Sequence, residues 1–302
     1  MDSVYKYGYC HRYRPGVVNR RNDHSIESLD SQQWSDGFSL NWCPSDNLDN
    51  WNKQKHLAKR LGWTDSNVRY RLNEYGYRHQ GPFVENRNAL VVLGCSLTFG
   101  IGVNYEQTWP YYVAKELGLD CVNLGQPGTG INASYRAAKM WLPIIKPKAV
   151  MFYVPNHHRR ELWPNPDIKE KEHYADSVKC IGPWQTDKYQ AYFNEYSSKR
   201  ETDIWREAYL DSMRWIARDS IYIHFPGTTQ TAGRITPHSE SPDLTSDKNV
   251  KDFKPDIDKA VQARDMIHPG PVVHRENIAP LFIGAYRGWD KKRIDEWRKE
   301  NL

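Results

Sequence analysis

The chain has 302 residues, of which 39% are apolar, with a mean hydropathy of −0.82 and a net charge of +5. That is enough for one large domain or a domain with an added lobe. The charge is too mild to imply nucleic acid by itself, and no apolar run approaches the roughly 20 residues of a membrane span. The 5 cysteines are odd in number, widely spaced and without a C-x-x-C pair. This argues against a disulfide framework or zinc site and for a reducing compartment. Met1–Lys6 opens no signal peptide, so the expectation is a soluble intracellular protein.

Residues 1–50 lack periodicity and read as loops wrapping a folded body or as a partly ordered arm. Residues 52–62 predict a short helix with Leu57 and Leu61 one turn apart. Val68, Tyr70 and Leu72 alternate with Arg69 and Arg71, as in a half-exposed strand, and a turn follows at Asn73–Gly76. From residue 89 onward strand and helix alternate, which implies a parallel sheet. Residues 89–93 are continuously apolar, as in a strand buried on both faces, and run into Gly94-Cys95-Ser96. A helix is predicted over 108–117, capped by Thr108 and ended by Gly118. A strand follows over 120–124, then a glycine-rich loop over 125–130, a helix over 132–142 and a strand over 148–154. Residues 157–200 interrupt the rhythm as an insertion. A helix over 202–217 has Trp205, Tyr209, Met213 and Ile216 on one stripe. A strand at 220–225, a long loop at 226–256, a helix over 271–284 and a basic, solvated helical tail at 291–302 complete the chain.

Four features can carry chemistry. Ser96 follows a buried strand, where open α/β sheets bind ligands. Read alone it is a turn former, and Thr98 breaks the G-x-S-x-G elbow of the α/β-hydrolases. Asp265-x-x-His268 is the only D-x-x-H in the chain. At that spacing a carboxylate can hold a histidine in the tautomer that takes a serine proton. Gly128 and Asn156 follow the next two strands and can offer N–H groups to an oxyanion, beside the N–H of Ser96 itself. Gly128 read alone is turn chemistry, and Asn156 a helix cap. Together, Ser96, Gly128 and Asn156 each follow a successive parallel strand and so reach one sheet edge. Asp265 and His268 come late enough to return to it.

These residues resemble the SGNH (GDSL-like) hydrolase family. Gly94-Cys95-Ser96-Leu97-Thr98-Phe99-Gly100 is similar to its first block, G-D-S-x-T-x-G. Asn123 through Gly128 is similar to N-x-x-x-x-G, Val154-Pro155-Asn156-His157 to G-x-N-D, and Asp265 to His268 matches D-x-x-H. Tyr70–Arg78 looks like the strand preceding the first block in bacterial and phage members. The resemblance implies Ser96 as nucleophile, His268 as base, Asp265 as its orienter, and an oxyanion hole of Ser96, Gly128 and Asn156. It implies a three-layer α/β sandwich with a flavodoxin-like central parallel sheet over 68–290, with insertions at 157–200 and 226–256. Residues 1–67 would be a wrapping extension and 291–302 a basic tail. No metal or organic cofactor is needed for such chemistry.

Cys95 replaces the first-block Asp and reads as a thiol buried under the turn. Val154 and His157 replace the Gly and Asp of the third block. The adjacent histidines 157 and 158, with His173, lack the spacing of a metal site. The expected function is hydrolysis of a small acyl ester through an acyl-enzyme, an O-acetylated carbohydrate being one candidate because of the 12 Trp and 19 Tyr. The alternatives are a binding protein on the same scaffold that has lost catalysis, and an acyltransferase that passes the acyl group to a sugar hydroxyl. No nucleic-acid or membrane partner is expected.

Overall fold

A computed structural model describes residues 38–43, 45–73, 75–155, 159–162, 179–181, 198–226, 235–236, 262–265 and 268–301. In chain order the elements are β1 (Phe38–Leu40), α1 (Leu48–Arg60), β2 (Tyr70–Leu72), β3 (Ala89–Gly94), α2 (Ser96–Phe99), α3 (Trp109–Leu117) and β4 (Asp120–Asn123). There follow α4 (Ile131–Ile145), β5 (Ala149–Val154), β6 (Arg160–Leu162), β7 (Lys179–Ile181), α5 (Lys199–Ile216), β8 (Ile221–Pro226) and β9 (Ile235–Thr236). A π-helical turn at Val273–Ile278 leads into α6 (Ala279–Arg287), and α7 (Lys291–Asn301) ends the chain.

The central sheet has the order β4-β3-β5-β8-β9. Its first four members are parallel and β9 is antiparallel. In chain order the parallel strands run 2-1-3-4, so the order reverses beside β3, the position at whose carboxyl end open α/β sheets bind ligands. Every residue of β3 and β5 is buried, as a strand covered on both faces requires.

Alternation along β3 assigns each side chain to a layer. Ala89, Val91 and Leu93 join Val150 and Phe152 against α4 and α5, where Trp141, Leu210 and Met213 close the packing. Leu90 and Val92 join Met151 and Ile223 against Trp109, Val113, Phe282 and Ile283 of α3 and α6. Helices therefore cover both faces of the parallel sheet. Each fully buried aliphatic side chain contributes on the order of 1.5–3 kcal/mol, so β3 gives Ser96 a rigid base.

A third apolar cluster lies at one end. Leu40, Trp51, Ala58, Trp63, Val68, Tyr70 and Leu72 pack with Phe99, Ile101, Val103 and Ala263. The strand pair β1–β2 is antiparallel, with Leu40 opposite Tyr70.

Several elements differ from the sequence reading. Helix α1 starts at Leu48, because Asn47 Oδ1 accepts the Asn50 N–H, and it buries Trp51 and Ala58 while Leu57 and Leu61 pack only partly. The 108–117 helix takes its cap from elsewhere. The Thr108 hydroxyl donates back to the Tyr105 carbonyl at 2.7 Å, and the Trp109 N–H is accepted by His274 Nδ1 at 3.1 Å. Of the stripe read on α5, Met213 is buried and Tyr209 and Ile216 pack partly against the first core beside Leu210, whereas Trp205 is 48% exposed. The predicted 271–284 helix contains the π turn, and the tail helix is not wholly solvated, since Trp297 is buried against the second core. The inserted segments fall mostly outside the described residues, which show only the antiparallel pair β6–β7 and β9.

Candidate active site

The turn after β3 is built by a residue that only glycine can be. Gly94 has φ 152°, and a Cβ there would lie 2.1 Å from Thr98 Oγ1 and 2.8 Å from the Tyr153 carbonyl oxygen. The chain then enters the single turn α2, where the Thr98 and Phe99 N–H groups both donate to the Cys95 carbonyl. Ser96 is its first residue, and Cys95 is buried beneath.

Two side chains hold this turn from behind. The fully buried Arg78 donates to the carbonyls of Phe99 (2.9 Å), Gly100 (2.6 Å), Val103 (2.7 Å) and Arg69 (3.3 Å). Asn123 donates through Nδ2 to the Thr98 carbonyl at 2.8 Å and accepts the Gly125 N–H at 2.8 Å. The glycine-rich loop is thereby tied to α2, and the Gln126 N–H donates to the Gly94 carbonyl at 2.9 Å.

Residues around His268 form a loop closed on itself. Gln262 and Pro269 make an antiparallel bridge, and the Ala263 N–H donates to the His268 carbonyl at 2.9 Å. Asp265 Oδ1 accepts the His268 main-chain N–H at 3.0 Å, the turn that an Asp favours. The loop meets the nucleophile side at Gly102, whose carbonyl accepts the Arg264 N–H at 3.0 Å. At φ 75°, with Ala263 Cβ 2.6 Å from where its own Cβ would stand, Gly102 leaves room for nothing larger.

Arg264 anchors the loop. Its guanidinium donates to Asp46 through Nε at 3.0 Å and Nη2 at 2.6 Å, and to the carbonyls of Asp65 and Asn41. It also lies 4.2 Å from the Trp42 ring centre. Tyr70 donates its hydroxyl to Asp46 and accepts the Gly102 N–H at 2.7 Å. Burial pushes the Asp46 carboxyl above its usual range, while Arg264 and the Tyr70 hydroxyl pull it back. Burial also raises the Tyr70 phenol further, so it stays protonated and keeps donating.

The two sides meet in one chain of hydrogen bonds. His268 Nδ1 lies 2.6 Å from Asp265 Oδ2, and His268 Nε2 lies 2.8 Å from Ser96 Oγ. A carboxylate only accepts, so Nδ1 carries the proton and the Nε2 lone pair faces the Ser96 hydroxyl. The Asp265 side chain is fully buried while that of His268 keeps 16% exposure, so the ring alone of the pair is reachable from solvent. A second serine touches the pair. Ser45 donates to Asp265 Oδ2 at 2.9 Å and lies 3.5 Å from Nδ1. This network has the geometry of a catalytic triad and supports a serine-hydrolase type of mechanism.

Sequence reading thus named three residues that the fold brings together, Ser96, Asp265 and His268. Gly128 stands at φ 73° and is exposed, in the loop tied to Gly94 through Gln126. Asn156, His157, His158 and His173 lie outside the described residues. Among the described residues no cluster of three or more His, Cys, Asp and Glu side chains could hold a metal ion, and no helix is long and apolar enough to cross a membrane. Sequence reading missed Ser45, Asp46, Arg78, Arg264 and His274. The one available signal was Arg264 itself: an arginine beside a motif held in a buried turn needs an acceptor. Comparison of the chain with models of known families, with curated proteins and with solved structures gives no match.

Proposed function

We propose that the protein is a serine ester hydrolase of the SGNH kind, acting through an acyl-enzyme on a small acyl ester. The observation that carries this reading is the unbroken chain from Ser96 Oγ through the His268 ring to Asp265, at 2.8 and 2.6 Å. In the mechanism, Nε2 takes the Ser96 proton as Oγ attacks the acyl carbonyl. Asp265 stabilises the imidazolium so formed, which then protonates the leaving alcohol. Water, activated by the same Nε2, attacks the acyl-enzyme, and the carboxylic acid leaves as Ser96 regains its proton. Donors for the oxyanion would be the N–H groups of Ser96 and Gly128 and the Asn156 side chain. The strand order 2-1-3-4 supports a flavodoxin-like sheet, and Ser96 follows the strand at which the order reverses.

Much of the aromatic surplus serves packing, which weakens the case for a sugar-stacking surface. Tyr77, Phe83 and Trp141 pack on one another in the first core, and Trp109 stacks on Phe282 at 4.4 Å in the second. The alcohol half of the ester is therefore left as a class, with O-acetylated carbohydrate one member.

Hydrolysis of p-nitrophenyl acetate by the purified protein tests the reading. Ser96→Ala and His268→Ala should each lower kcat at least about a thousandfold. Turnover indifferent to Ser96 would replace the hydrolase with the binding-protein alternative. Product esters formed in the presence of a sugar acceptor would convert it to an acyltransferase.

A further inference from the structure

Ser45 and Asp46 face Arg264 and Asp265 crosswise. Asp46 takes the guanidinium of Arg264, and Ser45 gives its hydroxyl to Asp265. The Ser45 turn is itself held, since Asn50 Nδ2 donates to the Ser45 carbonyl at 2.7 Å and Asn47 caps α1. Among the described residues, three donors reach Asp265. Oδ2 accepts from Ser45 and from His268 Nδ1, and Oδ1 from the His268 main-chain N–H. Three donors on two oxygens fix the plane of a carboxylate that could otherwise rotate. Ser45 is not a second nucleophile in this arrangement. The Nδ1 it approaches carries a proton committed to Asp265, so no lone pair faces its hydroxyl.

We propose that Ser45 is a positioning residue: its hydroxyl holds the Asp265 carboxylate and, through it, the His268 ring in the orientation that points Nε2 at Ser96. Its effect on rate rests on the hydrolase reading, while the hydrogen bond itself does not. The contact comes from a segment before β2, outside the motifs that contain Ser96 and His268. The site is therefore completed by the N-terminal part of the chain.

The test compares Ser45→Ala and Ser45→Thr with the parent by p-nitrophenyl acetate kinetics, melting temperature and the low-field proton resonance of His268 Nδ1–H. That resonance is assigned by its loss in His268→Ala. S45A should lower kcat about tenfold with KM within about twofold, move the Nδ1–H resonance and leave the melting temperature near that of the parent. S45T, which keeps the hydroxyl, should restore both rate and resonance. Should S45A not fold, Ser45→Cys keeps the volume with a weaker donor and is read the same way. An unchanged kcat and resonance in S45A overturn the proposal, as does the absence of any such resonance in the parent. A parent without esterase activity instead overturns the hydrolase reading, and the resonance alone then decides the role of Ser45.

Discussion

Arg78 and Arg264 are both fully buried guanidiniums, one under each half of the site, and they are held in different ways. Arg78 distributes its hydrogen bonds over four main-chain carbonyls, none more than 25 positions away, and no carboxylate among the described residues bonds it. Arg264 faces Asp46, 218 positions away, and donates only its remaining bonds to carbonyls. The nucleophile half is thus a local construction, in which backbone shape is set by Gly94 and read by Arg78 and Asn123. The base half, among the described residues, is a loop closed by one bridge between Gln262 and Pro269 and is set by a charge from elsewhere. A buried pair of this kind is a weak source of net stability but a strong constraint, since either partner left alone is costly.

Breaking that pair should give the largest effect. Asp46→Ala leaves the Arg264 guanidinium buried without its carboxylate, and should cost about 3–5 kcal/mol in urea unfolding. The double change Asp46→Leu with Arg264→Met should recover most of this stability. Ester turnover should stay low all the same, because the loop of Asp265 then keeps its main-chain contacts but loses its charged anchor. A double variant as active as the parent would show that the ion pair serves folding and not the placement of His268.

The nucleophile half should break through the backbone instead. Gly94→Ala drives a Cβ into Thr98 Oγ1 and the Tyr153 carbonyl. Strain and overpacking together should cost about 2–4 kcal/mol, measured by the same unfolding curves. A loss below about 1 kcal/mol would mean that the turn relaxes easily and that its rigidity is overstated here.

The smallest effect is a pH dependence shared by both halves. Burial pushes His79, beside Arg78, down to about 4, against a hydrogen bond to the Cys121 carbonyl that raises it. Burial, followed by the charges of His268 and Arg78, pushes His274 down to about 3. In the unfolded chain each takes a proton near its ordinary value of 6.5. Their contribution is therefore complete above pH 6.5 and is lost as pH falls toward 4 and 3. At pH 5.5 the loss from His274 should be roughly 1.4 kcal/mol. His274→Gln should shrink the difference in unfolding free energy between pH 7.5 and 5.5 by about that amount. An unchanged difference would show that His274 does not stay neutral in the fold.

The contrast between the halves also explains what could be read from sequence. Ala89–Gly94 announces itself by an apolar run and a glycine, and Asp265-x-x-His268 by a spacing, because both are local. Ser45 sits in an aperiodic stretch, and its partner cannot be found without the fold. Thr108 looked like a helix cap, yet the acceptor for the Trp109 N–H is His274, 165 positions away. The stripe read from sequence runs through Trp205, which is 48% exposed, whereas the phase of the helix is set by Leu210, Met213 and Ala217 against the sheet. Large aromatic residues carry polar edges and tolerate a surface, so their presence fixes a helical phase less well than that of aliphatic ones.

The crosswise contact of Ser45–Asp46 with Arg264–Asp265 has a consequence for how the molecule comes into being. Closing a loop that spans most of the chain is slow compared with forming neighbouring strands and helices. Strands β3, β4 and β5, with the Ser96 turn, can dock while later residues are still in the ribosome, since domains gain structure as they emerge. Arg264, Asp265 and His268 arrive long afterwards and find Asp46 waiting. A nascent or prematurely ended chain would therefore carry a fully shaped serine turn and no base to activate it, so competence would appear only once the segment of Asp265 and His268 has been made.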